Sequence, residues 1–352
     1  MGWHRYTIGQ ERRHLGQDGL LLTYRRCGAR YHRHLLAALS LVSVAIAGSV
    51  VVRAAIPMSP VLLAFARPAV ASDDGGIAVR TTLNGPIGVA VDGHGTLYIA
   101  DSKDNKVRAV TLHTGTIVTV AGDGHKGSGG DGGPATRAQL YGPAGLAMDR
   151  RGILYIADAY NNRVRAVDLR TGTISTAAGA DKATERGERS VFAHGQLDLP
   201  TAIATDGRGI LYIADSGNNR VRAFNSSART IVTVAGDGLR GGGGDGGPAT
   251  RAYLYSPDGV VVDGRGTLYI ADTGNDTVRA VDPRTGTIMT IAGGGRRDTR
   301  GASSPAVRAD LGGPAGLAVD GHNRLYIADF SNNRVRAVDL RTGTITTIAG
   351  RP

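Results

Sequence analysis

The stretch GPAGLAMDRRGILYIADAYNNRVRAVDLRTGTISTAAG, residues 142–179, contains the pentapeptide that decides the fold. LYIAD begins at five leucines, each 57 residues after the one before: Leu97, Leu154, Leu211, Leu268 and Leu325. The flanking sequence recurs in the same register, so residues 73–350 are five copies of one unit with almost nothing added. A period of this length predicts an architecture in which each unit packs on its neighbours.

Each copy contains four short runs of β type, which read GLAMD, ILYIAD, RVRAVD and TISTAA in the second copy. Glycine, asparagine and aspartate turns separate these runs. Apolar residues on both faces of LYIAD suit a sheet that is covered on both sides. Four short antiparallel strands, repeated radially, predict an all-β fold, a five-bladed β-propeller. No strand is exchanged between the ends of the chain, so we expect closure to depend on packing of the fifth blade on the first.

The LYIAD and NNRVR motifs, together with the linker GDGGPATRAQL at 130–140, resemble NHL repeats, in particular those of bacterial secreted proteins and teneurins. The resemblance covers residues 73–350 and implies a propeller that binds partners through one of its faces. Such propellers commonly have six blades, whereas five copies are present here. An incomplete six-bladed arrangement therefore remains the alternative to a five-bladed ring.

The glycine-rich stretch VTVAGDGHKGSGGDGG, residues 118–133, contains Gly122, Gly124 and Gly127 in the spacing G-x-G-x-x-G. A dinucleotide-binding fingerprint requires a helix directly after the glycines and a carboxylate about 20 residues later. Here more glycines and Pro134 follow, and a similar stretch recurs at 236–247. We interpret both as linkers that cross between blades, in which glycine permits a positive φ.

The first 71 residues match no repeat. Residues 1–34 are basic, and residues 35–71 are hydrophobic, with 18 uncharged residues at 35–52 and a second apolar run, VLLAFA, at 61–66. Ala69-Val70-Ala71 fits a signal-peptidase site. Residues 35–52 are also just long enough to span a bilayer. Cleavage after export, a retained membrane anchor and a buried core helix therefore stay open. The first two place the propeller, residues 72–352, outside the cytoplasm, and we expect it to fold without its N-terminal segment.

Net charge argues against a nucleic-acid partner, and the cysteine content excludes disulfides and thiolate metal sites in the repeats. Residues 1–72 contain 9 of the 41 basic residues and 2 of the 30 acidic ones, so the repeats are only mildly basic. A nucleic-acid partner requires a basic stripe on the folded domain, and we expect none. The only cysteine, Cys27, precedes the repeats, which excludes disulfides and thiolate metal sites there. We expect a monomer that touches the membrane only through residues 35–52.

Catalytic chemistry is not recognisable in the repeats. We call the face that carries the loops before the first strand and after the second strand of each repeat the top face. Of the five histidines after residue 72, only His125 and His194 can reach it, and the only glutamates there are Glu185 and Glu188. We therefore expect no cofactor and no metal. The alternative is a propeller hydrolase or lyase with a metal site assembled from top-face loops, which stoichiometric zinc or calcium in the pure protein would favour.

The aspartate that ends LYIAD is present in every copy, so we expect it to build the blade. We predict that it accepts turn N–H groups and that the residue after NN, Arg163 in the second copy, is its partner. A ring of these carboxylates around a cation is the alternative. The aspartates are Asp101, Asp158, Asp215, Asp272 and Asp329, and the other expected partners are Lys106, Arg220 and Arg334.

Binding residues are expected where the copies differ on the top face. The turn after LYIAD varies, the linkers at 181–195 and 295–310 replace glycines by charges, and one inner strand begins with a charged residue. The candidates are Lys103, Tyr160, Arg186, Arg189, His194, Asp258, Arg296, Arg297, Arg300 and Phe330. Tyr160 and Phe330 could instead cover a neighbouring blade, and the charged linkers could be solvated loops without a partner. The hypothesis is a non-catalytic scaffold for a protein or an anionic cell-envelope polymer.

Replacing Arg296, Arg297 and Arg300 together by serine tests this assignment. The melting temperature should stay nearly unchanged, because exposed ion pairs contribute only about 0–1 kcal/mol. Capture of an anionic partner should weaken, and added salt should weaken it further. Undiminished capture by the triple variant would show that these arginines are not the contacts.

Overall fold

A computed structural model describes residues 74–179, 196–295 and 304–350 as five four-stranded antiparallel blades of a β-propeller. Within each blade the strands pair in chain order, from the inner to the outer strand. The blade strands are β2 (Pro86–Val91), β3 (Thr96–Asp101), β4 (Lys106–Thr111) and β5 (Thr116–Ala121); β6 (Pro143–Met148), β7 (Ile153–Asp158), β8 (Arg163–Asp168) and β9 (Thr173–Ala178); β10 (Pro200–Thr205), β11 (Ile210–Asp215), β12 (Arg220–Asn225) and β13 (Thr230–Ala235); β14 (Pro257–Val262), β15 (Leu268–Asp272), β16 (Thr277–Val281) and β17 (Ile288–Gly293); β19 (Pro314–Val319), β20 (Arg324–Asp329), β21 (Arg334–Asp339) and β22 (Thr344–Ala349). The predicted all-β class and the blade count are confirmed.

The linkers add to the outer edge of the blade they enter. The two-residue strands β1 (Gly76–Ile77) and β18 (Ser304–Pro305) pair with the outer strands β5 and β22. Short 3-10 turns complete the linkers and the turns after LYIAD. These turns are Ala78–Arg80, Ser102–Asp104, Ala135–Arg137, Ala159–Asn161, Ser216–Asn218, Ala249–Arg251, Thr273–Asn275 and Ala306–Arg308.

The aspartate of LYIAD is fully buried in all five blades, and it holds the loop that enters the inner strand. Asp158 Oδ1 accepts the backbone N–H of Tyr141 at 2.7 Å, and its Oδ2 accepts the side-chain amide of Asn161 at 2.8 Å. The same backbone bond occurs at 2.6–2.7 Å in the other blades. The predicted turn donor is thus the side-chain amide of the following turn in blades 2 to 5, and a backbone N–H from the entry loop, 17 residues earlier, is the donor that the prediction did not include.

In blades 2 to 5 the second arginine of RVR also accompanies this aspartate, in addition to the predicted residue after NN, whose charge lowers the pKa of the aspartate in blades 1, 2 and 5. Arg279 Nη1 lies 3.3 Å from Asp272 Oδ2, and its Nη2 lies 2.5 Å from Asp245 Oδ1 in the linker. In blade 2 the corresponding residue, Arg165, lies 3.7 Å from Asp158. Arg163, the predicted partner, donates to the carbonyl of Ser128, and its positive charge also lowers the pKa of Asp158. The corresponding pairs at Arg222 and Arg336 measure 3.4 and 3.5 Å.

A second motif joins blades 1 to 4 each to the next blade. The last residue of the turn after LYIAD, Asn162 in blade 2, has φ of 55°, a left-handed conformation that asparagine tolerates. Its Oδ1 accepts the N–H of Leu199 in the entry loop of blade 3 at 2.9 Å. Equivalent bonds from Asn105, Asn219 and Asp276 measure 2.7–3.1 Å. The NN motif therefore couples the top-face loops of neighbouring blades.

Apolar clusters fill four junctions between consecutive blades. At the junction of blades 1 and 2, Tyr98 and Val107 of blade 1 pack against Leu146, Leu154 and Ile174 of blade 2. Inner strands also contact each other at each of these junctions. Burial of such apolar surface is the main source of stability in a fold of this kind.

The junction between blades 5 and 1 is different: within the described part of the chain, its strands do not make the extensive contacts that join the inner strands at the other four junctions. Val89 of blade 1 is 42% exposed, whereas its equivalents Leu146, Ile203 and Val260 are 6–7% exposed. On blade 5, Val335 is partly exposed and Ala349 is exposed, although their equivalents in the other blades are buried. The five blades therefore present two uncovered apolar faces, one at each end of the series.

Replacing the buried arginine of blade 4 tests the importance of the ion pairs. Arg279→Met should cost about 3–5 kcal/mol of unfolding free energy, because it leaves a buried carboxylate without its cation. The matched control is Arg284→Met, because Arg284 is solvent-exposed and lies 3.9 Å from Asp282. Urea titration of both variants measures the difference, and equal midpoints would contradict a structural role for the pair.

Candidate functional site

The top face is assembled from two loops of each blade, the entry loop and the turn after LYIAD. Backbone bonds tie these loops together, for example from Tyr160 N to Tyr141 O at 3.1 Å and from Gly274 N to Tyr255 O at 2.8 Å. Together with the buried aspartate, these bonds hold the loops in the same geometry in every blade. Side chains that differ between blades are therefore displayed on a common frame.

An aromatic cluster stands out on blade 2, and we call Lys126, Tyr141 and Tyr160 the tyrosine cluster. The rings of Tyr141 and Tyr160 are 4.7 Å apart between centroids and tilted by 43°. Lys126 Nζ lies 5.1 Å from the centre of the Tyr141 ring, within cation–π range. Tyr160 remains 46% exposed. Tyr160, a candidate binding residue, packs on the entry loop of its own blade and keeps a free face.

Blade 4 has a related arrangement without the second ring. Arg240 Cζ lies 5.2 Å from the centre of the Tyr255 ring. Gly274 occupies the position of Tyr160, and a side chain there would run into Tyr255. The two regular linkers therefore each place a cation over a tyrosine, but only blade 2 adds a solvent-exposed aromatic.

Asp258 lies at the start of the inner strand of blade 4, in a cluster of hydroxyl groups. Burial raises the pKa of Asp258 to about 6, although hydrogen bonds with Ser216, Ser256 and Thr273 act in the opposite direction. Ser216 Oγ and Thr273 Oγ1 also lie 2.5 and 2.6 Å from the carbonyl oxygens of Pro257 and Pro314. Each hydroxyl has one proton, so when both hydroxyls donate to carbonyls, either oxygen can accept a hydrogen bond from the O–H of neutral Asp258.

The remaining candidates are scattered or lie outside the described residues. Lys103 is exposed on the turn after LYIAD in blade 1, and its methylene groups cover Gly85. Phe330 is half-buried in the corresponding turn of blade 5. The candidates that lie outside the described residues are Arg186, Arg189, His194, Arg296, Arg297 and Arg300. Within the described ranges, the structure brings together none of the predicted residues with one another.

Sequence reasoning missed the partners that complete each group. Tyr141 and Tyr255 occupy a position that reads Asn84, Tyr141, Asp198, Tyr255 and Gly312 around the ring, and this variation could have marked them. Ser216 and Thr273, the partners of Asp258, lie in the turns after LYIAD of blade 3 and blade 4.

Among the residues that the structure describes, no group of three or more histidine, cysteine or acidic side chains is arranged to hold a metal ion.

Two family models match the chain: the teneurin NHL domain over residues 122–199 and the NHL repeat over residues 311–337. The second match covers LYIAD and the following turn of blade 5, whose pattern all five blades share. The chain is a β-propeller that contains NHL repeats. The resemblance predicted from the repeat motifs is thereby confirmed.

Curated relatives extend this NHL similarity over most of the chain. Human NHL repeat-containing protein 2 is 28% identical over 302 residues, which cover 78% of this chain and 41% of that protein. Mouse teneurin-4 is 30% identical over 233 residues, which cover 59% of this chain and 8% of the teneurin. This NHL propeller therefore spans less than half the length of these relatives.

Solved structures share the fold at low identity. A chain of a nidogen/laminin complex aligns with a TM-score of 0.54 and 18% identity, covering 76% of this chain and 81% of that one. An auxiliary nutrient binding protein from Bacteroides ovatus aligns with the same score and identity over 76% of this chain and 61% of its own.

Within the described residues, no helix of the chain is long and apolar enough to cross a bilayer.

The titration of Asp258 predicts a pH-dependent stability difference. A carboxyl whose pKa is higher in the folded state stabilises the fold below its unfolded pKa, and this contribution is lost as the pH rises through the folded value. Asp258→Asn should therefore match the wild type at pH 4 and be more stable at pH 7.5, by about 2 kcal/mol. The control is Asp310→Asn, because Asp310 is exposed. Thermal melts from pH 4 to 7.5 measure the effect, and parallel curves for Asp258→Asn and wild type would contradict it.

Proposed function

We propose that this NHL propeller is a non-catalytic binding scaffold that works outside the cytoplasm and contacts a protein partner through the tyrosine cluster. The observation that carries the proposal is the exposed ring of Tyr160. This ring packs on Tyr141, and Lys126 Nζ lies over the Tyr141 ring. A stacked tyrosine is already ordered before binding, so contact with a partner costs little conformational entropy.

The chemistry of the cluster suits a protein surface. Tyrosine offers a large apolar ring and a polar hydroxyl, and it is enriched among the residues that dominate interface energies. The neighbouring cation on Lys126 adds attraction for acidic or carbonyl groups at the rim. The arginine-containing linkers at 181–195 and 295–310 would extend the same proposal to an anionic cell-envelope polymer.

Proteins that share the fold support a binding role. One of them is a chain of a nidogen/laminin complex, and another is an auxiliary nutrient binding protein. The placement outside the cytoplasm rests on the hydrophobic residues 35–71 and the basic residues before them. The structural use of the repeated aspartate and arginine residues adds a further argument, because it leaves the variable top-face side chains as those available for a partner.

Capture from a cell-envelope extract by the immobilised protein tests the tyrosine cluster. Tyr160→Ala should reduce the specifically captured species at least about tenfold, which corresponds to about 1.4 kcal/mol of binding free energy. The matched control is Tyr253→Ala, because Tyr253 is a similarly exposed tyrosine on a linker. Quantitative mass spectrometry of the eluates measures both.

Two results would count against the proposal. If Tyr160→Ala and wild type capture the same proteins in the same amounts, the cluster is not the contact surface. If Tyr253→Ala lowers capture equally, the effect is not specific to the cluster. Circular dichroism of each variant establishes that the blades are folded.

A further inference from the structure

The uncovered faces of blades 1 and 5 are the same two faces that meet at the other four junctions. On blade 1, the face contains Leu83, Val89, Val91 and Leu97, and Val91 is 62% exposed. On blade 5, Ala318 and Ala349 are exposed. The hydrogen bond that couples neighbouring blades is also missing among the described residues, because Asn333 does not bind Gly85. Apolar faces of this kind are stable when something covers them.

The chain enters the propeller beside this junction. Asp74 Oδ1 accepts bonds from Arg108 Nη2 and Thr119 N, both at 2.9 Å, and Gly75 N donates to Ile117 O at 2.8 Å. Ala78 and Leu83, a few residues later, pack on the uncovered face of blade 1. Residues that precede Asp74 are therefore tethered at the edge of the face that lacks a cover.

The tethered sequence is apolar but unsuited to a membrane span. Residues 54–71 read AAIPMSPVLLAFARPAVA, with Arg67 as the one charge. Prolines at 57, 60 and 68 disfavour a continuous helix. The run VLLAFA has six residues, whereas a span requires about 20. A short apolar run between prolines is typical of a buried extended segment.

The reach of this segment matches the junction. Phe65 is nine positions before Asp74 in the chain, and extended chain covers about 3.3 Å per residue, so Phe65 can lie up to roughly 30 Å away. A blade of four strands spaced about 4.8 Å apart is only about 15 Å across. Tethering also gives the segment an effective concentration in the millimolar range, which a free partner would rarely reach.

We propose that residues 54–71 are retained in the mature protein and cover the junction, packing against Val89 and Leu97 of blade 1 and Val335 and Ala349 of blade 5. The proposal is independent of the tyrosine cluster and its partner. It selects retention of residues 54–71 over cleavage after Ala71.

Thiol labelling of the full chain in lipid nanodiscs tests the cover. Cys27→Ser removes the only native thiol, and Val91→Cys then reports on the uncovered face. The rate of maleimide labelling is compared in two backgrounds, the native segment and a segment with Leu62→Ser, Leu63→Ser and Phe65→Ser. We expect labelling to be at least tenfold faster in the second background, because the substituted segment loses its apolar contacts.

The matched control is Val232→Cys, because Val232 is 56% exposed on the outer strand of blade 3. Its labelling rate should be the same in both backgrounds, and circular dichroism of both establishes that the blades are folded. Equal rates for Val91→Cys in the two backgrounds would overturn the proposal. So would a purified chain that begins at Ser72 by mass spectrometry. Protection of Val91→Cys that grows with protein concentration would assign the cover to a second copy of the chain instead.

Discussion

The buried carboxylate that ends LYIAD is the interaction on which the rest of the propeller depends. In blade 2, Asp158 binds the entry loop through Tyr141 N, the following turn through Asn161, and the third strand through Arg165. Arg165 also reaches Asp131 in the linker at 2.6 Å. Burial raises the pKa of Asp158 to about 6, against those hydrogen bonds and charges. Burying a carboxylate is costly unless all its hydrogen bonds and its ion pair are formed. The carboxylate therefore holds these partners in one geometry, because the loss of any one of them leaves a buried charge without compensation.

This arrangement explains how the top face can vary without loss of the fold. The bonds that shape the loops use backbone groups and invariant side chains, so the side chain at the position of Tyr160 can be lysine, tyrosine, glycine or serine. The asparagine of the NN motif passes this geometry from one blade to the next. The top face is therefore continuous across four junctions, and its individual character comes from side chains that differ between blades, such as Tyr160 and Asp258.

Much of the fold followed from the spacing of LYIAD, but pairings inside the blade did not. The residue directly opposite Asp158 in the strand ladder is Arg163, which sequence proximity favoured as its partner. Arginine is long enough to reach diagonal neighbours, and Arg163 extends to the linker while Arg165 lies over the carboxylate. Asp258 was recognised as the charged residue at an inner-strand entry. Its hydroxyl partners were not, because Ser216 and Thr273 come from turns 42 residues before it and 15 after it.

The sequence by itself determined the repeat, the four strands of each blade, the number of blades and the NHL character, because these depend on local periodicity and turn residues. Only the tertiary structure decided which arginine forms an ion pair with the aspartate in blades 2 to 5, which tyrosine rings contact each other, and how far the ring closes. Those outcomes depend on contacts between residues that are distant in the chain. Similar repeats predict similar junctions. The faces of blades 1 and 5 contact each other, however, only if the rotations from each blade to the next add up to a full turn. That total depends on all five blades together, so the sequence of a single repeat does not determine it.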